Sequence, residues 1–400
     1  MNGPYWLFAN TKVRCLSCPL KDFDFMKIGI LTLTLQTNYG GILQAYALQT
    51  VLERMGHQVE VFNLKTLKHT MPKWRYPLSY AKRCYVKFVK RQRVHIFAER
   101  YMNKTQPIIA KNINTFINQH LHIKVLDKLE ELNNLDYEAL VVGSDQVWRP
   151  KYFHFPGGIK NAFLYFAKDW NIKRIAYAAS FGTDEWEYST AETAECANLI
   201  KLFDAVSVRE KSGLDLCRTK LSVSAAHVLD PTMLLDKDIY TDLISKGNTH
   251  KPNGTLLSYI LDTSAEKTKL INDISSEYNL VPFKANAKSD NIIDSIEDRT
   301  LPAIEQWLRS FSDAEFVVTD SFHACVFSII FGKQFVVVGN QERGLTRIFS
   351  LLEMFGLQDR LVNNIDDIKK LSKIDFVGVH ALLQSYQDKS KEFLKRNLYD

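Results

Sequence analysis

The sequence predicts an α/β protein of two Rossmann-like domains with parallel sheets facing a cleft. Three observations predict it. The chain has 400 residues, and at roughly 150 residues per domain it needs more than one hydrophobic core. Short β-rich apolar runs alternate with helical patterns along it, as in parallel sheets crossed over by helices. A proline-fixed break at Asp230-Pro231-Thr232 divides the alternation into two series.

The elements follow in order. The first 25 residues have neither the continuous apolar region nor the cleavage site of a signal peptide, so residues 1–25 are expected to be an extension outside the fold. Lys27–Leu35 is apolar and β-rich and ends before Gly40-Gly41. Leu43, Tyr46, Ala47, Thr50, Val51 and Arg54 then fall at helical spacing over Ile42–Met55, with Gly56 as the C-terminal glycine. Gln58–Asn63 resumes as a strand and completes a βαβ unit. Further strands are expected at Tyr137–Val142, Arg174–Ala179, Ala205–Val208 and His227–Leu229, which makes residues 26–230 the first domain. Residues 231–252 are read as a linker. Leu256–Leu261, Leu280–Lys284, Glu315–Thr319 and Gln334–Val338 supply the strands of a second domain over 253–374, and a closing helix occupies 375–400. No internal repeat marks a solenoid.

Composition narrows the classes. Hydrophobic residues at 46% and charged residues at 24% exclude global disorder. No window approaches the ~18 consecutive apolar residues of a membrane span. Six cysteines are too few for a disulfide scaffold, and Cys15 with Cys18 forms the lone CxxC pair, so reduced thiols are expected. The net charge of +6 is unevenly placed. From Lys73 to Lys104 ten Lys or Arg face one acid, Glu99, so this stretch carries +9 and the rest of the chain −3. Cys84, Phe88, Phe97 and Tyr101 lie near helical spacing among these cations, which reads as a basic amphipathic helix inserted at 73–104. It is either a contact for an anionic membrane surface or a solvated helix face. It lacks the aromatic platform of a nucleic-acid module, and no nucleic-acid partner is expected.

Open parallel sheets bind ligands beyond the carboxyl ends of their strands, so polar residues there are the candidates. Asn38-Tyr39-Gly40-Gly41 joins the first strand to its helix, where glycines admit close backbone approach and a helix N-terminus offers N–H groups to an anion. Gly143-Ser144-Asp145-Gln146-Val147-Trp148 is a polar turn, with Asp145 either a site residue or a helix cap. Ser180-Phe181-Gly182 follows another strand. Arg209, in Ser207-Val208-Arg209-Glu210, can bind a carboxylate or phosphate bidentately or pair with Glu210 or Asp204. Thr319-Asp320-Ser321-Phe322-His323 ends a strand where an apolar helix begins. Asp320 or Ser321 can cap that helix, which places His323 in its first turn as a phosphate ligand or proton donor. No metal-binding spacing occurs.

These segments, in this order, resemble the polysaccharide pyruvyl transferase family. The resemblance runs from Lys27 to about Arg360. It rests on Asn38-Tyr39-Gly40-Gly41 with Leu43-Gln44-Ala45-Tyr46-Ala47-Leu48, Gly143–Trp148, Tyr177-Ala178-Ala179-Ser180-Phe181-Gly182, Ser207–Glu210, Leu229-Asp230-Pro231-Thr232 and Thr319–His323. It implies a GT-B-like pair of domains in the cytoplasm or at the inner face of the membrane. It also implies transfer of pyruvate from phosphoenolpyruvate, as donor substrate and without a further cofactor, to a hydroxyl pair of a sugar. The acceptor would belong to a surface polysaccharide or its precursor, including a lipid-linked oligosaccharide. Arg209 and His323 match the family's arginine and histidine. Some relatives carry a second arginine where this chain has Ser321, so Arg343 and Arg347 become candidates for the second cation. On this reading His323 is the general acid, Arg209 holds the donor, and Asp145 or Asp320 deprotonates or orients the acceptor. Asn38, Tyr39, Gly40, Gly41, Ser144, Ser180 and Ser321 line the substrates. A nucleotide-sugar glycosyltransferase and a non-catalytic glycan-assembly protein are the alternatives. The acceptor sugar and the oligomeric state are not readable.

Overall fold

In the computed structural model, residues 25–65, 68–339 and 345–399 are described. The expected extension, with Cys15 and Cys18, therefore lies largely outside the described residues, as does Arg343. The apolar runs of the first half become β1 (Lys27–Leu31), β2 (Gln58–Leu64), β3 (Ile123–Leu126), β4 (Ala139–Val142), β5 (Lys173–Ala179), β6 (Ala205–Val208) and β7 (Ala226–His227). They form one sheet in the order β3-β2-β1-β4-β5-β6-β7. The second half contributes β8 (Leu256–Tyr259), β9 (Pro282–Phe283), β10 (Phe316–Thr319), β11 (Gln334–Val338) and β12 (Leu361–Val362) in the order β12-β11-β10-β8-β9. Every pairing in both sheets is parallel. The two expected Rossmann-like domains are thus present, their central strands apolar because helices cover both faces.

Helices supply the crossovers. In the first domain these are α1 (Tyr39–Arg54), α2 (Tyr76–Phe88), α3 (Ala98–Ile109), α4 (Lys111–His120), α5 (Thr190–Leu199) and α6 (Lys211–Lys220). Then come α7 (Lys237–Lys246), α8 (Ala265–Tyr278), α9 (Ile296–Arg299), α10 (Ile304–Asp313), α11 (Phe322–Phe331), α12 (Leu345–Met354), α13 (Ile365–Lys369) and α14 (Phe376–Tyr399). Helix α1 is buried nearly all round, and α11 along its whole length. Each lies between its own sheet and the other domain, which is why neither sequence shows a polar face. One continuous core joins α1, α7, α10, α11 and α14 across the domain boundary. The other two apolar clusters cover the outer faces of the two sheets.

Residues 231–252 hold a 3-10 turn at Pro231–Leu234 and helix α7, whose Tyr240 hydroxyl donates to the Thr232 carbonyl at 2.7 Å. The closing helix α14 returns to the first domain. Gln387 Nε2 donates to Met233 O (2.7 Å), the Leu229 N–H to Ser390 Oγ (3.1 Å) and the Tyr399 hydroxyl to Met55 O (2.6 Å).

The basic stretch differs from the single amphipathic helix expected. It is a helical hairpin, α2 and α3, broken at residues 89–97, where Arg91 has a φ of +53°. Two contacts fold it back: Arg83 clasps Glu99 with two hydrogen bonds (2.8 and 2.7 Å), and Tyr80 meets the Phe97 ring edge-on at 4.9 Å. Crowding of Lys90, Arg91 and Arg93 in one continuous helix would be repulsive.

Candidate functional site

Both strand orders reverse at the same place in space. In the first sheet the order turns between β1 and β4, and in the second between β10 and β8, the positions at which a crevice opens in such sheets. The loops beyond these strands carry Asn38, Asp145, Leu261 and His323, and all four line one cleft of about 750 Å³ between the domains. Helices α1 and α11 start here. Neither has a side chain capping its N-terminus, so first-turn N–H groups of both domains face the cleft region with their positive dipole ends.

The two helix starts touch. The His323 ring lies so close against Gly40 that a Cβ there would overlap it at Nδ1. A Cβ at Gly41 would press on Asn38 and Asp145. The glycine pair therefore admits an imidazole from the other domain. His323 is N2 of α11, with Ser321 as N-cap, as the sequence pattern indicated.

Beneath the cleft floor lies a buried ionic cluster. The Arg209 side chain is 0% exposed, with Nη1 2.7 Å from Asp230 Oδ2, Nη2 3.2 Å from Asp145 Oδ1 and Nε 3.9 Å from Glu210 Oε2. Burial works against its charge, but Asp230, Asp145 and Glu210 outweigh that and raise its pKa. Ser144 Oγ donates to Asp230 Oδ2 at 3.0 Å. The same Asp230 oxygen faces His323 Nε2 at 3.7 Å, an electrostatic contact beyond hydrogen-bond length. Burial opposes ionisation of Asp230, yet His323, Arg209 and Thr232 together hold its carboxyl well below the usual range. Glu210 behaves oppositely, since burial raises its pKa despite Arg209 and Arg347. Its Oε1 accepts from the N–H groups of Phe181 (2.8 Å) and Gly182 (3.3 Å).

Asp145 is the carboxylate of this cluster that also lines the cleft. It accepts from Arg209 through Oδ1 and from Asn38 Nδ2 through Oδ2 at 3.1 Å. Its φ of +64° is left-handed and uncommon for a non-glycine residue, a strain that clusters at functional turns. The Phe322 ring lies near two guanidinium groups, that of Arg209 at 4.6 Å and that of Arg347 at 5.8 Å. Arg347 lines the cleft. Burial, and after it the neighbouring Arg209, pulls its pKa down to about 10, so it stays cationic at neutral pH.

The structure thus brings together Asn38, Gly40, Gly41, Ser144, Asp145, Arg209, His323 and Arg347. Tyr39 and Ser321 line the same cleft, with the Tyr39 hydroxyl donating to Pro302 O at 2.8 Å and its ring stacked on Trp307 at 5.4 Å. Ser180 is fully buried and accepts from Gly182 N–H (3.1 Å), so it shapes the loop. Asp320 also lines the cleft, but its carboxylate accepts from Leu261 N–H (2.7 Å), Asp262 N–H (3.2 Å) and Lys267 Nζ (2.8 Å), which fixes the loop after β8. Arg209 is not on the cleft surface. Sequence reasoning read Asp230 as a turn and as part of a family segment but gave it no place in the site, although an aspartate before proline at a strand end was visible. It also missed that the Phe322 ring lies near both Arg209 and Arg347, for which the sequence holds no signal.

A family model described as polysaccharide pyruvyl transferase matches residues 38–342. Among solved structures, one is of UGT89C1 from Arabidopsis thaliana complexed with UDP-L-rhamnose. It is 9% identical, covers 94% of this chain and 98% of its own, and has a TM-score of 0.49. Another is an alpha-glucosyltransferase in complex with UDP and a 13-mer DNA, 11% identical, covering 93% and 95%, at a TM-score of 0.42. No curated protein sequence matches.

Proposed function

The chain belongs to the polysaccharide pyruvyl transferase family, and on that premise we propose that it transfers pyruvate from phosphoenolpyruvate to two hydroxyls of a sugar acceptor. The product is a pyruvate ketal, and phosphate is released. The observation that carries this reading is His323 at an uncapped helix start, facing a second uncapped helix start, with Arg347 on the same cleft wall. A donor with a carboxylate and a phosphate needs such a concentration of N–H groups and cations.

The chemistry distributes over these residues as follows. His323 gives its proton to C3 of the enol, which leaves an oxocarbenium-like centre at C2. The first acceptor hydroxyl adds there and loses its proton, and Asp145, the cleft-facing carboxylate, orients or takes it. The C2–O bond to phosphate then breaks, His323 assisting the departing group, and the second hydroxyl closes the ketal as it too loses its proton. Of the two hydroxyl protons, one is balanced by that gained at C3 and the other leaves with phosphate or to solvent. Asp230 places negative charge against the Nε2 edge of His323. Arg209, held beneath the floor, fixes Asp145 and Asp230 in place through its two ion pairs, and Arg347 supplies the cation on the cleft wall. Asp320 holds the loop after β8.

The test is product identification. Phosphoenolpyruvate is incubated with galactose-, mannose- and glucose-containing acceptors, and the product is examined by NMR. A new methyl singlet attached to a quaternary ketal carbon supports the reading. Transfer from a nucleotide sugar, with phosphoenolpyruvate inert, contradicts it.

A further inference from the structure

The proposed chemistry makes no use of the α2–α3 hairpin, whose surface is unusual. No residue of α2 is buried. Leu78, Tyr85 and Phe88 are 70%, 54% and 69% exposed, and their spacing places them on one face of α2. Trp74, one turn earlier, is 67% exposed. The opposite face is occupied by the Arg83–Glu99 clasp and the Tyr80–Phe97 contact, so the outer stripe is not needed to hold the hairpin together. Lys82, Lys87, Lys90, Arg91 and Arg93 are exposed around it. Glu99, the one acid between Lys73 and Lys104, is already spent on Arg83.

We propose that this hairpin docks on the surface of an anionic phospholipid bilayer. Exposed aromatic and aliphatic side chains on one helix face, with Lys82 beside them and Lys90, Arg91 and Arg93 exposed in the turn beyond, match a headgroup layer, where rings enter the acyl boundary and Lys and Arg stems reach phosphates. None of the described helices is long and apolar enough to cross a membrane, so the contact is peripheral. The hairpin is also fastened to the cleft. The Leu301 N–H donates to Ile109 O at the end of α3 (3.0 Å), Asn112 Nδ2 donates to Leu301 O (2.8 Å), and Leu301 lines the cleft wall. The α3 end of the hairpin is therefore anchored at the cleft wall. This inference rests on the hairpin's surface and not on the reaction.

The test is flotation of the full chain with phosphatidylcholine vesicles, with and without phosphatidylglycerol. Wild type should float with the anionic vesicles, less so at raised salt. Leu78→Ser with Phe88→Ser keeps every charge and should lower partitioning about tenfold or more. Lys82→Gln with Lys90→Gln should do the same on anionic vesicles. All four side chains are exposed, so thermal unfolding and turnover of a water-soluble acceptor should not change, which separates this test from that of the reaction. Equal binding to neutral and anionic vesicles overturns the proposal. So does undiminished binding by Leu78→Ser with Phe88→Ser, which is charge adsorption only. Absence of vesicle binding overturns it in favour of a protein occupant.

Discussion

Gly40 and His323, on opposite domains, are in van der Waals contact, and the imidazole occupies the space a Cβ at position 40 would need. The contact joins the N-terminus of α1 to that of α11, so the site exists only while the two domains are packed together. Gly40 lies inside α1 without a left-handed φ, and its value is the room it leaves.

Gly40→Ala should therefore be a catalytic variant rather than a folding one. Alanine favours the helix by about 1 kcal/mol over glycine, while the new methyl displaces His323. Turnover should fall by about 10²–10⁴, the range for loss of a positioned acid, with Tm near wild type. A variant of normal activity would show that the ring does not act from this position.

Asp230→Asn should be a stability variant with a definite pH signature. The Asp230 carboxyl is held below its ordinary value of 3.8 in the folded chain. A depressed carboxyl contributes stability that is present above the unfolded value and lost as pH falls through the folded one. Removing one partner of a buried ion pair costs about 3–5 kcal/mol. Urea unfolding should show that gap at neutral pH, and the gap should narrow as the pH drops below 3.8.

Arg347→Gln should weaken the donor site. Arg347 lines the cleft, and a lost charge-assisted contact is worth about 1.5–3 kcal/mol. The KM for phosphoenolpyruvate should rise about ten- to hundredfold while the acceptor KM changes little. An unaltered donor KM would show that Arg347 does not hold the donor.

The two aspartates should separate. Asp145→Asn should reduce turnover by about a hundredfold or more without widening the donor KM. Asp320→Asn should lower Tm, because it weakens the hold on Leu261, Asp262 and Lys267. Acceptor-saturated rates measured beside thermal unfolding distinguish them.

Much of this was legible in the sequence, and the reasons are local. Gln334–Val338 is recovered residue for residue, and Lys27, Gln58 and Ala205 each begin the strand expected of them, because short apolar runs between turn residues have one reading in a parallel sheet. Strand β3 escaped notice because Lys124 and Val125 are exposed at the sheet edge, which erases the apolar run. Strand β12 has only Leu361 and Val362. The α2–α3 break was hidden because Cys84 and Phe88, and again Phe97 and Tyr101, are each four residues apart, although the nine residues from Phe88 to Phe97 would set the two pairs on opposite faces of one helix. In the site, His323 and Asp145 announced themselves at strand ends. The burial of Arg209 did not, since the carboxylates that enclose it, Asp145 and Asp230, are 64 and 21 residues away. Only tertiary packing could reveal that it lies beneath the floor.

The most direct test of the central claim is phosphate release from phosphoenolpyruvate with and without sugar acceptors, wild type beside His323→Ala. The account predicts release that requires an acceptor and falls by about 10²–10⁴ in the variant. Release independent of acceptor, release untouched by His323→Ala, or no release with any acceptor together with no donor-induced shift in Tm would contradict it.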